Sequence, residues 1–481
     1  MHRTLLALLA LLAIPASASA GPLRTAIVDD VSFASAAAPL AFDRAGAAGA
    51  TFVELTLNWR SLAPGGARKP DGFDAGNPAD PAYADRWEAF DQELRLATER
   101  RLQPIVTILQ APTWATGAGN GRAGLVRPDP AELGLFALAA AKRYNGSFQG
   151  LPRVRHWRVW NEPNISLFLV PQFVDGRPFS PGLYRSMVNA VAGAVKSVRA
   201  DNLVVAGGTA PFRDITPEVE KVDKRWGPLS FMRELLCLSK ALTPKCKQRV
   251  RFDIWSHHPY TSGGPTHNAV LPDDVSLGDL PEMRRVLMAG ARSGNIVSRG
   301  RVDFWVTEFS WDSSPPDPRG VPARLEARWT SEALYRMWRS GVSLVTWFLL
   351  RDEPLATSPY QSGLFYRGAT LERDRAKPAR QAFRFPVVAL PDSRGVLVWG
   401  RTPSGVRGAV IVEQSFKGGW KRLGLLRTDG YGIFQRRYST SRVGSVRARL
   451  TTTGESSVPF GVPPVADRFF HPFGQTLDLE P

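Results

Sequence analysis

Eight short apolar runs, separated by helical segments and long loops, set the strongest limit on what this chain can fold into. They read RTAIV from Arg24, TFVELTL from Thr51, QPIVTIL from Gln103, HWRVW from His156, LVVAGG from Leu203, FDIWSHH from Phe252, DFWVTEF from Asp303 and LVTWFLL from Leu344. Runs this short and this rich in Val, Ile, Phe and Trp suit strands buried on both faces. Between them, WEAFDQELRLATERR, PAELGLFALAAAKRY, LYRSMVNAVAGAVKSVRA and ARLEARWTSEALYRMWRSG space apolar residues three and four apart with charges between. That spacing gives each segment one apolar helical face. Strands alternating with helices imply parallel strands joined by crossover helices.

Eight such units predict a closed (β/α)8 barrel with enlarged loops rather than an open sheet. No G-x-G-x-x-G follows the first strand, which argues against a dinucleotide-binding sheet. The pattern changes after KPARQAFRFPVVALP. Beyond it, GVLVWGRT, RGAVIVEQSF and SVRARLTTT alternate with Gly-rich and polar turns. The expected organisation is a barrel over 21–386 and a small all-β, sandwich-like domain over 387–481, which caps the barrel or binds carbohydrate.

The chain opens MHRTLLALLALLAIPASASA, a basic start, an apolar run and a small-residue site at Ala18-Ser19-Ala20. This has the form of a secretory signal peptide over residues 1–20. Secretion to the extracellular space is therefore expected, with the mature chain starting near Gly21. No later run is long enough to predict membrane insertion. In an oxidising compartment, the two cysteines, Cys237 and Cys246, favour a loop-pinning disulfide over two buried thiols. The net charge of +17 invites nucleic acid or an acidic polymer as partner. Because arginines are scattered and form no dense run, a generally basic surface is the preferred reading, with no nucleic-acid partner. Oligomeric state is left open.

Chemistry concentrates where strands end. WRVWNEP, from Trp157, runs as a strand and then breaks into an amide, a carboxylate and a proline. Glu162 thus falls at the C-terminal end of the fourth strand, on the face that carries the active site in such barrels. Glu308 closes the seventh strand, where strand alternation groups it with Phe304 and Val306; if that apolar pair points into the barrel, Glu308 sits at its rim. The fourth and seventh strands lie across one mouth, so the two carboxyls can flank a single bond. Glycosidic cleavage needs one carboxyl to protonate the leaving oxygen and another to support the oxocarbenium ion.

On these residues the chain resembles the clan A glycoside hydrolases over about residues 23–385, most closely family 39 and its family 5 relatives. The resemblance implies that Glu162, following Asn161, is the acid/base and Glu308 the nucleophile of a retaining enzyme. It implies sugar contacts from Asn161, His258, Tyr260, Trp347, Arg60 and Trp114, with Trp347 as a stacking platform. The substrate is then a polysaccharide or oligosaccharide, with no cofactor. TILQAPTWA departs from the pattern in having no His after the third strand.

Other readings carry less. His257-His258 suggests a metal, but neighbours on a strand point to opposite faces, and no H-E-x-x-H is present. Asp29 and Asp30 end the first strand, where a capping or salt-bridge role outweighs a substrate contact. Asn145 and Asn164 match N-glycosylation acceptors. A non-catalytic sugar-binding protein on a former glycosidase scaffold is the alternative function; the presence of both glutamates argues against it.

Overall fold

The structure is a computed structural model and describes residues 21–117, 123–213, 226–439 and 444–465. The leader sequence lies outside the described residues. Eight strands form the barrel: β1 (Arg24–Val28), β2 (Phe52–Asn58), β3 (Gln103–Leu109), β4 (His156–Val159), β5 (Leu203–Thr209), β6 (Ile254–His257), β7 (Asp303–Val306) and β8 (Val342–Phe348). All pair in parallel with their sequence neighbours, and β1 pairs with both β2 and β8, so the sheet closes.

A helix follows each strand: α1 (Ala38–Ala47), α2 (Glu88–Glu99), α3 (Pro130–Arg143), α4 (Ser180–Val198), α5 (Pro228–Leu235), α6 (Leu280–Arg292), α7 (Ala323–Arg339) and α8 (Pro378–Arg384). Their starts are legible. Asp129 caps α3, accepting from Ala131 N at 2.8 Å, and Pro130 supplies a first-turn residue that needs no amide hydrogen bond. The apolar stripes of these helices cover the outer face of the sheet.

The barrel interior is layered. Ala26, Phe52, Ile105, Val205, Ile254, Trp305 and Leu344 form an apolar plug. One step further along the strands, the inward positions turn polar, with Glu54, Thr107, Arg158 and Ser256 all buried. The plug fills the lower barrel, and the polar layer above it floors the mouth. Here one expectation needs correction. Phe304 and Val306 pack in the outer core beneath the helices, and Trp305 between them faces inward. Strand β7 stops at Val306, and only the bend beyond it returns Glu308 to the mouth.

Past α8 come β9 (Val387–Asp392), β10 (Gly395–Arg401), β11 (Ala409–Phe416), β12 (Gly419–Arg427), β13 (Ile433–Tyr438), β14 (Ser445–Leu450) and β15 (Phe460–Gly461). They make two antiparallel sheets, ordered β9-β10-β13 and β12-β11-β14-β15. Trp399 on β10 packs its ring against Tyr335 and Trp338 of α7 at 5.3 and 5.4 Å. Arg384 of α8 grips Glu455 through Nε and Nη2 at 2.7 and 3.1 Å. These contacts fix the sheets to the side of the barrel. Among the described residues no helix is long and apolar enough to cross a membrane.

Candidate active site

The floor of the mouth is built on Arg158, which is 2% exposed. Its guanidinium pairs with the buried Glu54 on β2, whose Oε1 also accepts from Thr107 Oγ1 at 2.8 Å. The same guanidinium donates upward through Nη2 to Asn161 Oδ1 at 2.5 Å and to His258 Nε2 at 2.9 Å. A buried cation thus meets one buried anion and two further acceptors, the condition for tolerating charge inside a core. Space for it comes from β5. A Cβ on Gly208 would lie 2.4 Å from Arg158 Nη2, and one on Gly207 would lie 2.3 Å from the Ser256 carbonyl oxygen. Both glycines also have positive φ, +95° and +56° in chain order.

The segment after β4 is strained where it presents its carboxylate. Trp160 and Glu162 have φ of +66° and +37°, each costing about 1–3 kcal/mol for a residue other than glycine. Three bonds hold the segment: Trp160 N to Ile108 O at 3.0 Å, Glu162 N to Gly208 O at 2.9 Å, and the Trp160 indole to Phe168 O at 2.6 Å. The left-handed turn sends the Trp160 ring into the outer core and Glu162 into the mouth. Glu308 enters from β7 and accepts from the Tyr260 hydroxyl at 3.3 Å.

Glu162, His258 and Glu308 converge so that one ligand atom of each lies within 4.8 Å of the others. His258 Nδ1 is 2.9 Å from Glu162 Oε1 and 3.6 Å from Glu308 Oε2. An arginine can only donate, so its contact with Nε2 places the His258 lone pair there and the proton on Nδ1. His258 then donates to Glu162 Oε1. Burial, then the charges of Arg158 and His257, hold its pKa well below the usual range, so the ring is neutral.

The two carboxyls are unlike. Burial first, and Glu308 second, push Glu162 well above the carboxylate range. Burial raises Glu308 to about 7, opposed by Arg158 and by the Tyr260 hydrogen bond. The pair therefore holds a proton on Glu162 while Glu308 ionises more readily. This trio could in geometry take a metal ion. The donor set argues against one, because the imidazole nitrogen facing it carries the proton and Arg158 already supplies positive charge beneath.

The structure brings Asn161, His258 and Tyr260 to the two carboxyls and leaves the other predicted contacts apart. Trp347 is a correction. It is 1% exposed on the outward face of β8, its indole donating to Ser362 O at 2.8 Å and its ring packed on Phe383. Leu344 faces inward, so alternation turns Phe348 to the mouth, where its ring meets Tyr360 edge-on at 5.2 Å. Burial, then the charges of Glu308 and Glu162, push the Tyr360 phenol up.

Trp114 ties the loop after β2, donating to Pro64 O at 2.8 Å, and meets Trp59 edge-on at 6.2 Å. Trp59 itself is fully buried and stacks on Phe136 of α3. Arg60 is exposed on the short helix Trp59–Leu62. None of the contacts described for these three reaches the carboxyls. On the side without a histidine, Asn58 Nδ2 donates to Gln110 Oε1 at 2.9 Å, so two amides line that rim. Asp29 caps the helix Asp30–Phe33 through Ser32 N at 2.8 Å. Asn164 is fully buried, its amide exchanging hydrogen bonds with the Ala210 backbone, so it cannot be a glycan acceptor in the folded chain. Cys237 and Cys246 are bonded, with Cα atoms 5.3 Å apart.

No protein-family model and no curated protein matches the sequence. Solved structures do match in fold. One is a family 39 glycoside hydrolase from the gut symbiont Bacteroides cellulosilyticus WH2, 15% identical, covering 87% of this chain and 79% of its own, with a TM-score of 0.51. Another is a monomeric beta-xylosidase from Caulobacter crescentus CB15, 14% identical, covering 87% and 95%, with a TM-score of 0.50. At these identities the likeness is one of fold.

Proposed function

We propose that the chain is a secreted retaining glycoside hydrolase that cleaves O-glycosidic bonds of a polysaccharide or oligosaccharide by double displacement. The observation that carries this reading is the approach of Glu162 and Glu308 to within 4.8 Å in unlike environments. A short separation leaves no room for a water between carboxylate and sugar, so the second carboxyl attacks directly.

In the first step, ionised Glu308 attacks the anomeric carbon while Glu162 gives its proton to the leaving oxygen. Tyr260 aims Glu308, and Arg158 eases its ionisation. His258 occupies Glu162 Oε1, which leaves Oε2 to carry the proton. Formation of the ester removes the Glu308 charge, and Glu162 then ionises more easily, as its role of base toward water requires. Asn161, whose Oδ1 is held by Arg158, turns its Nδ2 to the sugar, where a hydrogen bond to the 2-hydroxyl would strengthen in the transition state. Phe348 and the Asn58–Gln110 pair supply stacking and polar contacts.

The test is a panel of 2-deoxy-2-fluoro aryl glycosides. One sugar of the panel should inactivate the protein with a single label on the peptide bearing Glu308, and proton NMR of the hydrolysis of the matching aryl glycoside should show retained configuration. Inversion, or a label on another residue, overturns the assignment.

A further inference from the structure

Strand alternation divides the sheet β12-β11-β14-β15 into two unlike faces. Val410, Val412, Val446 and Ala448 turn to the core and are fully buried. The opposite face takes the register pairs Ile411–Leu425, Glu413–Arg422 and Ser415–Trp420 across β11 and β12, with Ala409–Arg427 beyond them. Across β11 and β14 it takes Ile411–Arg449 and Glu413–Arg447. Four arginines and a tryptophan therefore share one outward surface with a single acid. Glu413 accepts from Arg447 Nε at 2.8 Å and from Arg449 Nη2 at 3.1 Å, and the Arg447 guanidinium lies 4.2 Å over the Trp420 ring. Arg422 and Arg427 are exposed, and no ion pair described involves either.

The charge is concentrated here. Residues 409–450 hold nine Lys and Arg against two Asp and Glu. Four of the nine, Arg422, Arg427, Arg447 and Arg449, look scattered along the sequence because they occupy separate strand positions, and pairing of the strands gathers them on this face. Like charges on neighbouring strands oppose sheet formation. Glu413 offsets Arg447 and Arg449 within the chain, and the charges of the exposed Arg422 and Arg427 are left for something outside it.

We infer that this face docks an anionic polysaccharide bearing carboxylates along its length. Arg422 and Arg427 are five residues apart on one strand, about 17 Å at strand rise, a span suited to an extended polymer and not to a small anion. Guanidinium forks take carboxylates two-pronged. Leu425, 47% exposed between the arginines, offers an apolar contact for the C–H face of a sugar ring. The choice of polysaccharide over another polyanion rests on the glycosidase reading: a polymer held here stays tethered beside the barrel that acts on it.

Binding is tested with full-length Glu308→Gln protein, so that turnover does not enter, on immobilised polygalacturonate, a neutral xylan and duplex DNA. Polygalacturonate should bind best, and binding should weaken steeply between about 50 and 200 mM salt as screening shortens. Arg422→Gln with Arg427→Gln should lower its affinity at least about tenfold at an unchanged melting temperature. The same pair of changes in otherwise wild-type protein should leave aryl-glycoside turnover intact. A control pair on exposed barrel-helix positions, Arg95→Gln with Arg324→Gln, should do nothing. Equal binding by the Arg422/Arg427 variant, or DNA or neutral xylan held as tightly as polygalacturonate, overturns the inference. If no aryl glycoside is cleaved while these binding results hold, the catalytic reading fails and the docking face stands.

Discussion

Gly208→Ala is the sharpest probe of how the active site is held, because it adds one methyl group and touches neither carboxyl. The new Cβ would stand 2.4 Å from Arg158 Nη2, and the residue keeps φ of +56°. An alanine in the left-handed region costs about 1–2 kcal/mol. Displacing the guanidinium loses at least one charge-assisted hydrogen bond, about 1.5–3 kcal/mol. The expected loss in urea unfolding is then about 2.5–5 kcal/mol. In catalysis, Arg158 no longer fixes the His258 tautomer or the Asn161 amide, so kcat should fall roughly tenfold to a hundredfold, the usual penalty for misplacing a catalytic group by an ångström. KM should move less. In an Arg158→Ala background the clash disappears, and adding Gly208→Ala should cost only the backbone contribution of about 1–2 kcal/mol. A variant as stable and as fast as wild type, or a full additional loss in the Arg158→Ala background, refutes the argument.

The kcat/KM profile should rise through an acidic limb near pH 7 as Glu308 ionises and fall through a higher limb as Glu162 deprotonates. Glu162→Ala should flatten the higher limb, slow poor leaving groups far more than activated aryl glycosides, and be rescued by azide with retained configuration. Loss by one factor on every substrate, with no rescue, refutes Glu162 as the acid. Reducing the Cys237–Cys246 bridge opens a loop of nine-residue separation and should cost about 2 to 3 kcal/mol, read as a lower melting temperature in reductant. Glu326 on α7 is fully buried with both carboxyl oxygens unpaired, and burial raises it to about 8. A carboxyl with a raised folded pKa favours the fold below its unfolded value of about 4.5 and loses that advantage as pH climbs to about 8, an upper bound of roughly 5 kcal/mol. Glu326→Gln should therefore raise the melting temperature at pH 8 relative to wild type and change it little at pH 4.

Much of the fold was legible because hydrophobic runs of strand length, alternating with amphipathic helices, admit few closures. The site was legible in part for the same reason. A carboxylate ending a buried strand has few roles, and Glu162 and Glu308 stand out in WRVWNEP and DFWVTEF. Glu54 and Arg158 carried a signal that went unread: each is a charge in mid-strand, at an inward position one step above Phe52 and His156. Opposite charges at one level of a closed barrel have each other as the available partners. Near the end of β5, Gly208 brings no side chain where Arg158 needs the space, and Gly207 brings none where the Ser256 backbone passes.

What alternation could not give was the direction of a side chain past the end of its strand. Counting by twos from Trp305 turns Glu308 away from the mouth, and counting from Arg158 turns the Trp160 ring into it; both counts fail. The backbone leaves the strand at Val306 and Val159, and left-handed residues after β4 change the parity. Within a strand the count holds: from Leu344 it reaches Phe348 and passes Trp347 by. The likeness to clan A placed the platform on a tryptophan by residue type, where position in the pleat assigns it to the phenylalanine one residue on. Phe348→Ala should therefore weaken substrate binding, read as a raised KM, with little loss of stability for a half-buried ring. Trp347→Phe should instead lower the melting temperature by removing a buried indole and its bond to Ser362, leaving KM unchanged. The opposite pattern would return the platform to Trp347.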